Sequence, residues 1–243
     1  MSPRAVGIIP ARFASTRFPG KPLVPIAGRP MIQRVFDGAR QAKHLDEVVI
    51  ATDDERIAEA CAAFEAPVVM TAPDHPTGTD RLAEAARGLD AEIIVNIQGD
   101  EPLIEGFVVD AAIDALADSP EAPMSTVAHR AAAGAENDPN RVKVVLDRSG
   151  YALYFSRAPV PFARDAGAAP TYLQHIGLYA YRRDFLLEFV GWPQTEAEKA
   201  ESLEQLRALE NGRRIRVAVI EGWESLGVDV PDDVRRVEAR LGA

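Results

Sequence analysis

A loop with three cations follows the first apolar run of the chain. The residues from Ile8 to Leu23 read IIPARFASTRFPGKPL, and Arg12, Arg17 and Lys21 stand there among alanine, serine and glycine. Small residues let backbone N–H groups approach phosphate oxygens, and the cationic side chains offset the phosphate charge. The type and spacing of these residues therefore predict a binding site for a polyanion.

The charge distribution supports that interpretation. Residues 1–43 contain eight Lys and Arg residues and a single acid, Asp37, although the whole chain carries a net charge of −10. Charge alone leaves open the alternative of a solvated basic face that keeps the chain soluble. The chain contains neither G-x-x-x-x-G-K-[ST] nor, after its first strand, G-x-G-x-x-G. This argues against a P-loop NTPase and against a dinucleotide-binding dehydrogenase.

Carboxylates that could hold a metal ion occur at two places. The run IIVNIQGDEP puts Gln98, Asp100 and Glu101 directly after an apolar strand, where the ligands of open parallel sheets collect. Mg²⁺ commonly takes one or two carboxylates together with substrate phosphates. Such an acidic pair alone more often forms a turn or a helix cap, but the cationic loop favours a metal site. Asp229, in GVDVPDD, on its own indicates the start of a proline-initiated helix.

A third segment, DHPTGTDR, opens a predicted helix at residues 74–81. Thr79, or Thr77 in another register, can cap that helix, and the Asp80 carboxylate suits its positive end. The pattern on its own predicts no more than a capped helix, so that Gly78 and Arg81 receive no further assignment from it.

The second half of the chain carries polar residues suited to an anionic, hydroxyl-rich ligand. Strand alternation places His175, Tyr179 and Tyr181 on one face, and Arg157 ends an earlier predicted strand. Arginine binds carboxylates through two parallel hydrogen bonds, and tyrosine and histidine bind hydroxyls. A lone strand histidine is nevertheless usually structural. Glu204 lies off the apolar seam of its predicted helix, a position that is most often merely exposed.

Strand and helix patterns alternate along the chain and predict an α/β fold, a mostly parallel sheet with helices on both faces. The predicted strands are Ala5–Ile9, Glu47–Ala51, Pro67–Met70, Glu92–Ile97, Met124–Ala128, Val142–Leu146, Ala152–Ser156, Gly177–Tyr181 and Ile215–Val219. The predicted helices are Met31–Lys43, Asp54–Phe64, Thr79–Gly88, Gly106–Ala117, Ala197–Leu209 and Asp232–Leu241.

One segment interrupts this alternation. Residues 142–157, VKVVLDRSGYALYFSR, contain two β-rich runs joined by an Asp-Arg-Ser-Gly turn, and this pattern predicts a β-hairpin. Because a hairpin that extends from such a sheet often serves association, we expect it to act as a dimerisation arm. The stretches 131–140 and 159–171 on either side are predicted to be loops.

Length and composition indicate one domain, residues 1–243, because 47% of the 243 residues are hydrophobic and can form one large core. The apolar runs are strand-sized and the N-terminus lacks a continuous apolar segment, so we expect a cytoplasmic protein that does not enter a membrane. The single cysteine, Cys61, excludes an intrachain disulfide. The acidic balance argues against broad nucleic-acid binding.

These motifs resemble, in order and spacing, those of the sugar-nucleotide cytidylyltransferases. That family carries A-R-x-x-S-T-R-x-P-G-K-P-L, D-H-x-[ST]-G-T-[ED]-R, N-x-Q-G-D-E-P and G-V-D-T-P-E-D, and the match here extends from Ile8 to Asp233. The resemblance implies a Rossmann-like fold of the nucleotide-diphospho-sugar transferase type, with the hairpin as dimerisation arm of a homodimer. It also implies Mg²⁺ as cofactor and CTP and a sugar acid as substrates, bound mainly by residues 1–125 and 126–243 respectively.

The family's functional residues have counterparts in this sequence. By resemblance, CTP would bind to Ala11, Arg12, Ser15, Arg17, Lys21, Gly78 and Arg81. The metal would bind to Asp100 and Asp229, and the sugar acid to Gln98, Arg157, His175, Tyr179 and Glu204. Catalysis would depend on Arg12, Lys21, Asp100 and Asp229. Asp80 stands where the family more often has glutamate.

The segments around Arg157 and His175 most resemble those of family members that act on 3-deoxy-manno-octulosonate (Kdo). The resemblance therefore implies attack of the Kdo anomeric hydroxyl on the α-phosphate of CTP, which gives pyrophosphate and CMP-Kdo for lipopolysaccharide synthesis. Two alternatives stay open at this point. One is a cytidylyltransferase for 8-amino-Kdo or a sialic acid, and the other is an inactive regulator that only binds CTP.

Overall fold

The computed structural model describes residues 3–14, 18–165 and 170–242. Its strands are β1 (Ala5–Ala11), β2 (Pro25–Ile26), β3 (Arg29–Pro30), β4 (Glu47–Thr52), β5 (Val68–Met70), β6 (Ile93–Asn96), β7 (Met124–Arg130), β8 (Lys143–Leu146), β9 (Ala152–Ser156), β10 (Leu173–Arg182) and β11 (Ile215–Ile220). Its α-helices are α1 (Met31–Ala39), α2 (Glu55–Ala62), α3 (Gly78–Arg87), α4 (Gly106–Ala117), α5 (Arg183–Phe189), α6 (Glu196–Glu201), α7 (Leu206–Glu210) and α8 (Pro231–Leu241). No helix in this described part of the chain is long and apolar enough to cross a membrane.

The chain divides into two compact units. The first comprises Met1–Asp110 and Ser225–Ala243, and the second comprises Ala111–Glu224. The C-terminal segment with α8 thus returns to the first unit, so that residues far apart in sequence share one compact body.

A parallel four-stranded sheet in the order β6-β1-β4-β5 forms the centre of the first unit. Its strands alternate along the chain with α1, α2 and α3. All residues of β1 except Pro10 are buried, and all of β6 is buried. Parallel strands covered on both faces need such near-continuous apolar runs. The sequence-based prediction of a parallel α/β sheet is confirmed for this unit.

The helix that opens at DHPTGTDR begins with a reciprocal capping box. The backbone N–H of Asp80 donates to Thr77 Oγ1 at 3.2 Å, and the backbone N–H of Thr77 donates to Asp80 Oδ2 at 3.1 Å. Thr77 is therefore the N-cap of α3, not Thr79, and the Asp80 carboxylate satisfies a backbone donor at the helix start.

The second unit has a mixed sheet. Strand β7 lies between β11, which is parallel to it, and β10, which is antiparallel. Strands β8 and β9 form the predicted hairpin, and β8 also pairs with β10. At the hairpin turn the backbone N–H groups of Ser149 and Tyr151 donate to Asp147 Oδ1, and Gly150 takes a φ of 80°. Glycine suits that left-handed conformation, which is why the Asp-Arg-Ser-Gly run closes the hairpin.

The prediction of one helix over Ala197–Leu209 is wrong. Helix α6 ends at Ser202, which has a φ of 51°, and α7 begins only at Leu206. A left-handed residue ends the α-helical hydrogen-bond ladder, and here Leu203 N–H donates back to Glu198 O at 3.2 Å. Glu204 therefore lies in the turn between the two helices and not on a helix face.

Candidate active site

A cleft of about 440 Å³ lies in the first unit, at the carboxyl ends of β1 and β6. It is lined by segments that the sequence analysis had singled out: Pro10, Ala11, Arg12, Ala14, Lys21, Pro22, Gly78, Gln98, Gly99 and Asp100. Parallel strands bring their carboxyl ends to the same edge, which explains why these loops meet there. The cleft thus unites five predicted substrate-binding residues with Asp100, a predicted metal ligand.

Gly99 allows the two strand ends to approach closely. A Cβ atom at this position would lie 2.9 Å from the carbonyl oxygen of Pro10, at a distance that side chains do not tolerate. The absence of a side chain therefore lets the Gln98–Asp100 turn lie directly against the end of β1, so that both segments face the same cleft.

Lys21 connects two acids from distant parts of the chain. Its Nζ donates to Asp100 Oδ2 at 2.8 Å and to the Val228 carbonyl at 2.9 Å, and it lies 3.7 Å from Asp229 Oδ1. The Lys21 side chain is 17% exposed, whereas that of Asp229 is 57% exposed. The three groups form a charged cluster that is open to solvent on one side.

Local structure holds each member of this cluster. Gly20, with a φ of 72°, precedes the short 3₁₀ helix Lys21–Leu23. Asp233, in the first turn of α8, accepts the backbone N–H groups of Asp229 and Val230 at 2.9 and 3.1 Å. An apolar cluster packs beneath these segments and consists of Ile26, Met31, Val228 and Val237, with Phe18, Leu103, Leu226 and Val234 against it.

Glu101, directly after Asp100, has a buried carboxyl group that the sequence analysis had left without a role. Ser225 Oγ donates to its Oε1, and its Oε2 is buried without a hydrogen-bond partner among the described residues. Burial raises the pKa of Glu101 to about 7, and the hydrogen bonds from Ser225 and Leu226 oppose this shift. Its position one residue after a predicted metal ligand was the only signal in the sequence.

Arg81, predicted to bind CTP, lies beneath the surface of the first unit. Its side chain is fully buried, Nη2 lies 2.9 Å from Asp53 Oδ1, and Nη1 donates to Thr71 Oγ1. Burial lowers the pKa of Arg81, Asp53 opposes this effect, and the nearby charge of Arg12 adds to it. Arg81 is thus placed to hold the loop after β4, and its contact with CTP stays a prediction.

Two predicted CTP-binding residues, Ser15 and Arg17, lie outside the described residues. Gly78 lines the cleft as the first residue of α3, whose N-terminus carries a partial positive charge. Gln98, predicted to bind the sugar acid, lines the same cleft as Arg12 and Lys21. The other four predicted sugar-binding residues belong to the second unit.

His175 and Tyr179 lie side by side on β10, with ring centroids 5.4 Å apart, and Tyr179 contacts Tyr181 in the same way. This confirms the predicted shared face. Burial lowers the pKa of His175 from 6.5 to about 3, so its imidazole is neutral at physiological pH. Burial and the nearby Glu204 carboxylate both raise the pKa of Tyr179, which is therefore a neutral phenol.

The hydrogen bonds of Thr126 determine which nitrogen of His175 carries the proton. Thr126 Oγ1 lies 2.7 Å from the Leu178 carbonyl oxygen, which can only accept, so the hydroxyl proton is used there. His175 Nε2, at 2.9 Å from the same Oγ1, must then donate. Nδ1 is left as a hydrogen-bond acceptor.

The Arg157 guanidinium is bound to backbone carbonyls of the second unit. Its Nε donates to Glu201 O at 2.6 Å, Nη1 to Pro139 O at 2.9 Å and Nη2 to Ser202 O at 3.3 Å. These bonds use three of the five guanidinium protons. The other two protons have no acceptor among the described residues and can bind a ligand. The same side chain links the end of β9 to the turn after α6.

Glu204 is held by an arginine that is itself fixed. Arg207 donates through Nε and Nη2 to both oxygens of the buried Glu198 at 2.8 and 2.6 Å, and its Nη2 lies 3.3 Å from Glu204 Oε1. Such a two-pronged pair is rigid. The Glu204 carboxylate is thereby given a defined direction although it lies in a turn.

A family model described as cytidylyltransferase matches residues 6–215. The 3-deoxy-manno-octulosonate cytidylyltransferases of Geobacter sulfurreducens and Syntrophotalea carbinolica are 55% and 53% identical to the chain. Each alignment covers 96% of this chain, and 98% and 97% of the respective relatives. A solved structure of a CMP:2-keto-3-deoxy-manno-octonic acid synthetase complexed with CTP is 43% identical, with a TM-score of 0.93 and 98% of both chains covered.

The protonation state of His175 can be measured by long-range ¹H–¹⁵N NMR of the imidazole, with His175→Gln to assign the signals. We expect a neutral ring with the proton on Nε2 from pH 8 down to pH 5. The folded-state pKa lies below the unfolded one, so this site stabilises the fold above pH 6.5 and loses that contribution as the pH falls toward 3. Titration of His175 near pH 6.5, or a proton on Nδ1, would contradict the assignment.

Proposed function

The chain belongs to the cytidylyltransferase family, and we propose that it transfers CMP from CTP to Kdo with release of pyrophosphate. The relatives named for this activity are more than half identical over almost the whole chain. The observation that carries the proposal is the cluster of Lys21, Asp100 and Asp229 beside the cleft. It offers a cation for phosphates and two carboxylates for a metal in one place.

Arg12 and Lys21 are the groups proposed to bind the triphosphate. Both line the cleft, where the N-terminus of α3 at Gly78 adds partial positive charge. The Lys21 side chain is already partly desolvated, and its Nζ donates to Asp100 Oδ2 and to the Val228 carbonyl oxygen. A phosphate oxygen at this position would replace a carboxylate as its partner, so the ammonium group would fix the position of the triphosphate.

The two aspartates fit a magnesium ion. Both carboxylates lie within 4 Å of Lys21 Nζ, they are partly exposed, and hard oxygen donors are what Mg²⁺ prefers. No group of three or more metal-binding side chains occurs among the described residues, so oxygens of the nucleotide would complete the set. When bound, the ion would offset charge at the α-phosphate and acidify the attacking hydroxyl.

Positioning and charge stabilisation account for the catalysis we propose. Direct transfer requires the anomeric hydroxyl to attack the α-phosphate in line with the departing pyrophosphate. The Gln98–Asp100 turn, held against β1 through Gly99, would keep its polar side chains in place during this step. Lys21 and Arg12 would stabilise the negative charge that develops on the leaving group.

The sugar acid is proposed to bind to residues of the second unit and to Gln98. Tyr179 and His175 present a neutral phenol and a neutral imidazole, which suit hydroxyl groups. Glu204, directed by Arg207, would accept further hydroxyls, and the two free protons of Arg157 would meet the carboxylate of Kdo.

We also propose that the protein is a homodimer and that it works in the cytoplasm. Its product would supply lipopolysaccharide synthesis. The hairpin strand β9 leaves Leu153 60% and Tyr154 39% exposed. Large apolar side chains exposed together are typical of an association surface. They support the hairpin as the dimerisation arm.

A substrate panel tests the function directly. Pyrophosphate release from CTP would be measured with Kdo, 8-amino-Kdo and a sialic acid as acceptors. We expect Kdo to give the highest kcat/KM, since relatives named for it are more than half identical to this chain. A higher kcat/KM with a sialic acid would contradict the substrate, and no release with any acceptor would contradict the reaction.

Neutralising either proposed metal ligand provides a second test. We expect Asp100→Asn and Asp229→Asn to lower kcat at least about 100-fold, equal to about 2.7 kcal/mol of transition-state stabilisation. Asp232→Asn is the matched control, because Asp232 is 83% exposed and pairs only with Arg235 among the contacts described. Near-normal turnover of either variant at saturating Mg²⁺ would contradict the assignment.

A further inference from the structure

The two proposed metal ligands come from segments far apart in sequence, and one of those segments has no regular structure. Asp100 follows β6 by a short turn in which Glu101 N–H donates to Gln98 O. Asp229 stands at the end of residues 223–229, which belong to neither a helix nor a strand. Backbone ladders therefore do not set the position of Asp229, and other contacts must do so.

Asp233 accepts the N–H of Asp229 itself, and the residues before Asp229 are held by Lys21, Asp100 and Glu101. Val228 N–H donates to Asp100 O at 2.9 Å, and Ser225 Oγ donates to Glu101 Oε1. A Cβ atom at Gly227 would lie 3.4 Å from Glu101 Oε1 and 3.6 Å from Asp100 O, so the chain passes directly over both residues. The segment is thus held by Lys21, by Asp100 and by the Glu101 side chain, which also accepts a backbone hydrogen bond from Leu226.

Stability alone is a poor explanation for a carboxyl group at this position. Glu101 Oε2 is buried and has no hydrogen-bond partner among the described residues. A buried polar atom without a hydrogen-bond partner destabilises the folded state. An apolar residue of similar size would avoid that cost, but it could accept neither the Ser225 hydroxyl nor the Leu226 N–H. Only the contacts of Val228 with Asp100 and Lys21 would then hold the segment before Asp229.

We infer that Glu101 is a positioning residue that, by binding Ser225, holds the segment 225–228 so that Asp229 lies beside Asp100 and Lys21. The inference rests on the proposed function, since it assigns a cause to the arrangement of the metal ligands. It concerns where the second ligand is held, and it assigns Glu101 no contact of its own with the nucleotide or the metal.

The test compares variants that keep or remove the hydrogen-bond acceptor. Glu101→Gln retains an acceptor oxygen for Ser225, whereas Glu101→Leu has similar volume and none. Ser225→Ala removes the other partner and leaves Glu101 in place. Glu105→Leu is the control, because Glu105 is an exposed glutamate in the same segment. Binding of Mn²⁺ to each full-length variant in the presence of CTP, without sugar, would be followed by electron paramagnetic resonance.

We expect Glu101→Leu and Ser225→Ala each to weaken Mn²⁺ binding by about 10-fold or more, which is typical of residues that orient metal ligands. Glu101→Gln and Glu105→Leu should bind as the wild type does. The double variant Glu101→Leu/Ser225→Ala should be no worse than Glu101→Leu alone, because the Ser225 hydroxyl acts through Glu101. In steady-state transfer the same variants should require more Mg²⁺, while the KM for Kdo is unchanged.

Wild-type Mn²⁺ affinity in both Glu101→Leu and Ser225→Ala would overturn the inference, as would equal losses in Glu101→Gln and Glu101→Leu. If Glu101→Leu fails to fold, as judged by circular dichroism, Ser225→Ala decides alone. Failure of the proposed function is distinguishable, because the wild type would then bind Mn²⁺ and CTP in this assay but form no CMP-Kdo.

Discussion

The site depends on one ammonium group placed between two carboxylates. Lys21 Nζ is 2.8 Å from Asp100 and 3.7 Å from Asp229, so it offsets the repulsion that two acids at such short range would otherwise suffer. The Lys21 ammonium group can bind phosphate oxygens instead when a divalent ion binds the two carboxylates. The arrangement therefore suits an exchange of partners, in which nucleotide and metal enter together.

The parallel sheet explains why this cluster lies at the cleft. Strands β1 and β6 end at the same edge, and Gly99 lets the turn after β6 lie against Pro10. Asp229 reaches the cluster from the C-terminal segment. Asp233 holds that segment on one side of Asp229, and the Glu101–Ser225 hydrogen bond holds it on the other. The parallel strands thus fix the loops that carry Lys21 and Asp100, and side-chain hydrogen bonds fix the segment that carries Asp229.

Local patterns allowed much of this to be predicted, because the sheet strands are short apolar runs and the cleft residues belong to contiguous motifs. The rest depended on features that no local pattern contains. The break before Glu204 results from the left-handed backbone of Ser202, which a helical periodicity does not reveal. The burial of Arg81 depends on Asp53, 28 residues earlier, and the role of Glu101 depends on a segment that returns from the far end of the chain.

We propose that Asp100 and Asp229 together bind the catalytic metal beside Lys21. The most direct measurement is an anomalous difference map from crystals of the protein grown with CTP and Mn²⁺, recorded at the manganese edge. We expect a peak within bonding distance of carboxylate oxygens from both aspartates, with Lys21 Nζ on a phosphate oxygen. A manganese peak bound to the triphosphate alone, or to carboxylates elsewhere in the chain, would contradict it.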